Sequence, residues 1–121
     1  MSNDPRHMLG KLGESLAAEH LERLGYGIVA RNHRTRFGEI DIIAIGGETL
    51  VFCEVKTRSG AGEPWEALGQ RKRSQVRRMA AAYLAEEPGR PRAESIRFDA
   101  IGVVIDQRGR LNRLEHLESA F

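Results

Sequence analysis

Apolar residues recur at helical spacing over the first part of the chain. The residues that form this stripe are Leu9, Leu12, Leu16, Ala17, Leu21 and Leu24. Asp4 and Pro5 are typical of an N-cap and of the first helical position, and Gly25 is typical of a helix end. The pattern therefore predicts a first helix of roughly four to five turns that ends near Gly25.

From Tyr26 onward, the spacing of apolar residues changes to the alternation of β-strands. This alternation predicts strands at 26–34, 38–45 and 48–57. Gly46 and Gly47 separate the last two strands and have the composition of a two-residue turn. A tight β-hairpin is therefore predicted in this region.

The second half of the chain returns to helical spacing and then to strands. A loop is predicted over 58–63, and Pro64 is expected to begin a helix that continues to about Glu87. Strands follow at 95–105 and 111–117. The element order α-β-β-β-α-β-β predicts an α/β fold in which helices flank a mixed β-sheet.

Length and composition restrict the class of protein. The chain has 121 residues, so one domain spanning 1–121 is expected. Its single cysteine excludes an internal disulfide framework. We find no apolar run long enough to cross a bilayer and no signal peptide, so a cytoplasmic protein without membrane contact is expected. The net charge of +2 excludes a large overall cationic field.

The predicted hairpin places acidic residues on one of its faces. If Gly46 and Gly47 form the turn, Glu39 lies opposite Glu54, and Asp41 lies opposite Phe52. Asp41 and Glu54 are then diagonal neighbours about 7 Å apart, and Lys56 points the same way as Glu54. The other face of the hairpin is apolar and consists of Ile40, Ile42, Ala44, Val51, Cys53 and Val55.

Three carboxylates beside apolar residues are energetically costly, because like charges repel and buried charges need partners. A divalent cation would remove this cost, and carboxylate oxygens suit Mg²⁺ or Mn²⁺. In the alternative interpretation the face is an ordinary solvated strand surface, in which Glu39 pairs with Arg34 or Arg36.

A cluster of basic residues on the second predicted helix is a candidate for contacts with nucleic-acid phosphates. It consists of Arg71, Lys72, Arg73, Arg77 and Arg78. Lys72 shares the apolar stripe of this helix and is therefore predicted to point toward the hairpin. Arg58 flanks the acidic site from the loop. The alternative is a solvated helix surface with no ligand.

Two segments of the hairpin carry a family resemblance, GEIDIIA at 38–44 and VFCEVKTR at 51–58. Further matches lie at Gly13-Glu14, Gly25-Tyr26, Arg31-Asn32, Arg97-Phe98-Asp99 and Ala120-Phe121. Over nearly its whole length the chain resembles the YraN-type family of small bacterial proteins. That family is similar to archaeal Holliday junction resolvases and to the wider PD-(D/E)xK nuclease superfamily.

The resemblance implies a restriction-endonuclease-like fold and metal-assisted hydrolysis of phosphodiester bonds, with Mg²⁺ or Mn²⁺ as cofactor. It implies that Asp41, Glu54 and Val55 hold the metal ion. Lys56 would position the attacking water and stabilise charge on the phosphate. Glu14 would reach the site from the first helix, by the same similarity.

Two other acidic residues receive supporting roles. Glu39 is expected either to support the metal ligands or to pair with an arginine. Arg97 and Asp99 alternate onto one face of the fourth strand and are interpreted as a structural pair. Support of the metal site by Asp99 is the alternative.

Three functions remain open from the sequence. The first is a metal-dependent endonuclease, with branched DNA as a candidate substrate and DNA favoured over RNA. The second is a nuclease-fold module that binds nucleic acid or a partner protein without cleaving it. The third is an interaction protein with a solvated acidic face. A homodimer is expected by analogy with resolvases, which cut a junction at two points.

Overall fold

The structure, a computed structural model, describes residues 5–60 and 70–121. Its elements are α1 (Pro5–Arg23), β1 (Gly27–Thr35), β2 (Gly38–Gly46), β3 (Thr49–Ser59), α2 (Gln70–Glu86), β4 (Ser95–Ile105) and β5 (Leu111–Leu117). This order confirms the predicted α-β-β-β-α-β-β arrangement. The expected N-cap Asp4 and the expected helix start at Pro64 lie outside the described residues.

The five strands form one mixed sheet in the order β1-β2-β3-β4-β5. Neighbouring strands are antiparallel except β3 and β4, which run parallel from the pair Thr49–Ser95 to the pair Ser59–Ile105. Parallel neighbours need a long crossover connection, and α2 belongs to the connection between β3 and β4. The strand β3 therefore lies at the centre of the sheet.

The two helices cover opposite faces of the sheet, because the side chains of β3 alternate between them. Val51 and Cys53 belong to a buried cluster that includes Leu21 of α1. Leu50 and Phe52 belong to a second cluster, which also contains α2 residues. Neither helix in the described part of the chain has the length and apolarity needed to cross a membrane.

The loop predicted from residue 58 begins later than expected. The strand β3 continues to Ser59, because each of its residues to that point has a partner in β4. The predicted end of the first helix at Gly25 is confirmed, since Gly25 has a left-handed φ of 96° just after α1. Pairing with β4, which is distant in sequence, therefore extends β3 beyond the end predicted from its own residues.

The hairpin turn lies one residue later than predicted. Gly46 pairs with Thr49, so Gly47 and Glu48 form the turn. Gly47 has a φ of 57°, as such a turn requires, whereas a side chain at Gly46 would overlap the ring of Tyr26. Gly46 therefore serves the packing of Tyr26, and only Gly47 serves the turn.

This shift moves the pairing between β2 and β3 by two positions. Phe52 pairs with Ile43, so its predicted pairing with Asp41 was wrong. The predicted opposition of Glu39 and Glu54 was wrong for the same reason. When the observed register is continued by one residue beyond Ile42–Cys53, Asp41 lies opposite Glu54. Since the shift is an even number, no side chain changes face on this account.

One apolar residue of the hairpin lies on the face opposite to its predicted one. Ile40 packs in the cluster that contains α2, whereas Ile42 packs in the cluster that contains α1. The pairs Arg31–Ile42 and His33–Ile40 lie on either side of Asn32, whose φ of 52° interrupts the extended backbone of β1. The strand alternation therefore breaks at the level of Asp41, between Ile40 and Ile42.

Candidate active site

Asp41 and Glu54 meet where the ladder between β2 and β3 ends. The last pair of this ladder is Ile42–Cys53, and the same register continued by one residue places Asp41 opposite Glu54. The Asp41 carboxylate accepts a hydrogen bond of 2.7 Å from the Val55 main-chain N–H. The end of the hairpin thus places the two acidic residues opposite each other, instead of in the predicted diagonal arrangement.

Asp41 has an electrostatic environment that opposes its ionisation. Burial raises the pKa of Asp41 to about 7, and the charges of Glu54 and Glu14 act in the same direction. The hydrogen bond from Val55 and the charge of Lys72 oppose this increase. Because a cation beside it would favour the ionised form, Asp41 can couple proton release to cation binding.

Glu54 is buried and lies between two lysines. The Nζ atom of Lys72, from α2, is 2.7 Å from Glu54 Oε1, and the Nζ atom of Lys56 is 3.6 Å from the same oxygen. Lys72 also donates to Gln75 Oε1 at 3.4 Å, and Gln75 in turn donates to the Phe37 carbonyl at 3.0 Å. Lys72 thus points toward the hairpin, as its place in the helical stripe predicted.

A second group of carboxylates joins the site from α1 and β2. Glu14, Glu39 and Asp41 each offer an oxygen, and these oxygens lie within 4.8 Å of one another. The Asn32 amide donates to Glu14 Oε2 and to Glu39 Oε1, both at 2.8 Å. Arg34 Nε is 3.7 Å from Glu39, which matches the interpretation of Glu39 as an arginine partner.

Asn32 is the site residue to which the sequence assigned no role. Its amide bridges Glu14 and Glu39, and its positive φ of 52° aims it there from β1. Asparagine adopts this left-handed conformation more readily than most residues do. An asparagine flanked by strand residues is therefore the local signal that could have indicated this role of Asn32.

The residues present fit a hard divalent cation. The clustered ligands are carboxylate oxygens of Glu14, Glu39 and Asp41, and Mg²⁺ and Mn²⁺ prefer oxygen. Glu54 lies outside this cluster, and its Oε1 atom contacts Lys72. Val55 has no donor atom in its side chain, so it could contribute only its main-chain carbonyl oxygen. The site contains no histidine or cysteine ligand among these residues, which disfavours zinc.

The basic residues predicted to contact phosphates do not form one surface. Lys72 points inward to Glu54, and Arg77 donates to the Phe121 carbonyl at 3.0 Å with its guanidinium over the Phe98 ring. Arg73 and Arg78 are exposed. The side chain of Arg71 lies outside the described part of the structure. The helix α2 therefore presents fewer cations to a ligand than its sequence suggests.

Asp99 lies in a separate buried network. It accepts hydrogen bonds of 2.9 Å from Arg97, 2.8 Å from His116 and 3.1 Å from the Ser119 main-chain N–H. Burial opposes its ionisation, but the hydrogen bonds from His116, Arg97 and Ser119, together with the charge of Arg97, outweigh burial and lower the pKa of Asp99. His116 also contacts His20 of α1 at 3.1 Å. Asp99 thus connects β4, β5 and the C-terminal residues, as the predicted structural pair with Arg97 suggested.

Comparison with known proteins places the chain in a family. A sequence model described as uncharacterised protein family UPF0102 matches residues 13–103. A UPF0102 protein of Parafrankia sp. (strain EAN1pec) is 50% identical over 115 residues, which are 93% of this chain and 95% of that protein. A UPF0102 protein of Pelotomaculum thermopropionicum is 44% identical over 120 residues, 98% of each chain. The chain therefore belongs to the UPF0102 family, the YraN-type family that its hairpin motifs indicated.

Proposed function

We propose that this protein is a divalent-metal-dependent endonuclease that hydrolyses phosphodiester bonds in nucleic acid. One observation carries the proposal: carboxylate oxygens of Glu14 and Glu39 lie within 4.8 Å of Asp41, and the Glu54–Lys56 pair faces Asp41 across the end of the β2–β3 ladder. Such a cluster is costly without a cation, and a lysine beside it suits a phosphate group. DNA is the preferred substrate in this proposal, and branched DNA is its first candidate form.

The residues have distinct roles in the proposed reaction. Asp41 and Glu54 bind the cation from the hairpin, while Glu14 approaches it from α1. A cation held there would polarise an oxygen of the substrate phosphate and lower the pKa of a bound water. Lys56 stabilises the negative charge that develops on the phosphate, and no side-chain nucleophile is needed.

A second candidate function has its own supporting observation. Lys72 and Lys56 both lie within 4.0 Å of the Glu54 carboxylate and can neutralise it without a metal ion. A protein with this internal neutralisation would bind nucleic acid or a partner protein and leave its bonds intact. The two candidate functions differ in whether added metal leads to cleavage of the bound nucleic acid.

Cleavage of a labelled panel tests the proposed function. The panel contains duplex, single-stranded, flap and four-way-junction DNA with Mg²⁺ or Mn²⁺, and an RNA duplex for comparison. We expect the wild type to cut and chelator to abolish cutting. Asp41→Asn should lose cleavage, whereas Glu86→Gln, which changes an exposed acid of α2, should retain it. Cleavage that survives in Asp41→Asn would disprove the proposed role of the cluster.

If neither the wild type nor Asp41→Asn cuts any substrate, the affinity of both proteins for the same nucleic acids tests the second candidate. Unchanged nucleic-acid affinity in Asp41→Asn would then identify a non-cleaving binder. The result would also assign the acidic cluster a structural role, with Lys72 as its permanent counter-ion.

A further inference from the structure

Two clefts meet along the N-terminal turns of α1, beside the acidic cluster. Arg6, Gly10 and Glu14 line both clefts. These residues follow one another at a spacing of four, so they form a row along one face of the helix. The row is the ridge that separates the two clefts.

Gly10 is the lowest point of this ridge, because it has no side chain. A Cβ atom placed there would meet no atom of the described residues within 4 Å, apart from the backbone of the helix itself. Glycine inside a helix costs about 1 kcal/mol relative to alanine, and packing among the described residues gives no reason for it at this position. By contrast, a Cβ at Gly13 would overlap Thr57, so the close approach of α1 to β3 explains that glycine.

Cations line both clefts on either side of the acidic residues. Lys11 and Arg34 line the first cleft, and the Arg34 side chain is 89% exposed. Arg58 lines the second cleft together with Asp41. Positive charge on both sides of an acidic centre is the pattern that suits a phosphodiester backbone whose middle phosphate meets a metal ion.

We propose that a strand of nucleic acid crosses α1 at Gly10, with its phosphates against Lys11 and Arg34 in one cleft and Arg58 in the other. This inference rests on the proposed function, because the crossing brings the backbone next to Asp41. It also replaces α2 as the main phosphate-binding surface, because Lys72 is held inward against Glu54, whereas Arg34 keeps an exposed side chain although it lies 3.7 Å from Glu39.

A steric test uses the position of Gly10 without removing any charge. Gly10→Leu fills the crossing, Gly10→Ala leaves most of it open, and Ala85→Leu adds the same side chain to an exposed position of α2. Binding of a fluorescein-labelled single-stranded DNA oligonucleotide, with Ca²⁺ in place of Mg²⁺, is followed by anisotropy. We expect Gly10→Leu to bind about tenfold more weakly than the wild type, Gly10→Ala to lie between the two, and Ala85→Leu to bind like the wild type.

A charge test compares the cleft with α2. The double variant Lys11→Gln/Arg34→Gln should reduce the slope of log affinity against log salt by about 1.4, since each phosphate contact on a single strand contributes roughly 0.7. Arg73→Gln/Arg78→Gln on α2 should leave the slope unchanged. An RNA oligonucleotide of the same sequence shows whether the backbone is that of DNA or RNA.

The results separate this inference from the proposed function. Wild-type affinity in Gly10→Leu, or a salt slope reduced only by the α2 double variant, would overturn the crossing even if the protein cuts DNA. Weaker binding in Gly10→Leu without cleavage by the wild type would support the crossing and refute the nuclease. An oligonucleotide that the wild type fails to bind would refute the crossing directly.

Discussion

Lys72 Nζ lies 2.7 Å from Glu54 Oε1, closer than Lys56 at 3.6 Å, so the nearest counter-charge of this buried carboxylate comes from α2. A divalent cation that binds Glu54 must share this carboxylate with an ammonium group. The ion pair between helix and hairpin therefore opposes metal binding, although it stabilises the protein without metal.

The first prediction concerns this competition. Lys72→Met removes the charge and keeps the length of the side chain, so Mn²⁺ affinity measured by calorimetry should increase about tenfold. The metal-free protein should lose about 1–3 kcal/mol of unfolding free energy, since Glu54 loses a charged partner. Arg78→Met, an exposed cation of the same helix, should change neither quantity. Weaker Mn²⁺ binding by Lys72→Met would contradict the competition.

The pH dependence of stability should reveal Asp41. Its pKa is raised to about 7, so the folded protein holds this proton more tightly than the unfolded chain does. The unfolding free energy should therefore fall as pH rises from about 4 to about 7, by up to about 1.4 kcal/mol per pH unit from this group. Asp41→Asn has no such proton and should lose this part of the slope.

Urea unfolding in chelator measures the effect of Asp41 as a difference between variant and wild type across this pH range. Asp106→Asn serves as the control, because Asp106 lies in the turn before β5 and should leave the slope intact. Equal slopes for the wild type and Asp41→Asn would show that Asp41 ionises normally. Excess Mg²⁺ should restore stability to the wild type mainly above about pH 7, where the ionised carboxylate is available.

Asp99 should be important for stability and not for metal affinity. Asp99→Ala leaves Arg97 without its buried partner, and such changes cost about 3–5 kcal/mol. The lowered pKa of Asp99 gives a pH dependence of the unfolding free energy that is opposite in sign to that of Asp41. Its stabilising effect is complete above the unfolded pKa of about 4 and is lost as pH falls through the lower folded value. Thermal unfolding at neutral and acidic pH measures both effects. If Asp99→Ala reduced the Mn²⁺ affinity as strongly as Asp41→Asn does, the separation of the two networks would be contradicted.

Two glycines of α1 should respond to alanine in opposite directions. Gly10→Ala should raise the unfolding free energy by about 1 kcal/mol, because alanine favours the helix and the new methyl group overlaps no atom in the part of the chain that the structure describes. Gly13→Ala should lower it by about 2 kcal/mol, since overlap with Thr57 costs about 3 kcal/mol and helix propensity returns about 1. Chemical denaturation of the two variants side by side measures both signs. A stabilised Gly13→Ala would mean that α1 can move away from β3 at little cost.

Local patterns in the sequence were sufficient to predict the elements and the meeting of the two hairpin acids. Asp41 and Glu54 could be placed together because strand alternation and a glycine turn are local properties. The exact register was beyond reach, since both Gly46 and Gly47 can form a turn. The ring of Tyr26 decided between them, and that ring packs against Gly46 only in the folded protein.

Tertiary contacts also explain what the sequence left out of the site. Asn32 gains its role from a backbone conformation and from two carboxylates that come from other elements. Arg77 seemed available for phosphate because its neighbours are basic, but its guanidinium stacks on Phe98 and binds the Phe121 carbonyl. A run of basic residues along a helix indicates a phosphate-binding surface only when the folded protein does not engage their side chains in internal contacts.

The parallel pairing of β3 with β4 also determines when the site can form during synthesis. Beyond the Ile42–Cys53 pair, the part of β3 that carries Glu54 and Lys56 is held in the sheet by β4, whose first paired residue, Ser95, joins Thr49. Contacts between such distant residues form slowly, because a long loop must close first. A nascent chain that has not yet exposed β4 therefore lacks the support for its acidic centre. The proposed metal-dependent chemistry at this centre should consequently require that most of the protein has been translated.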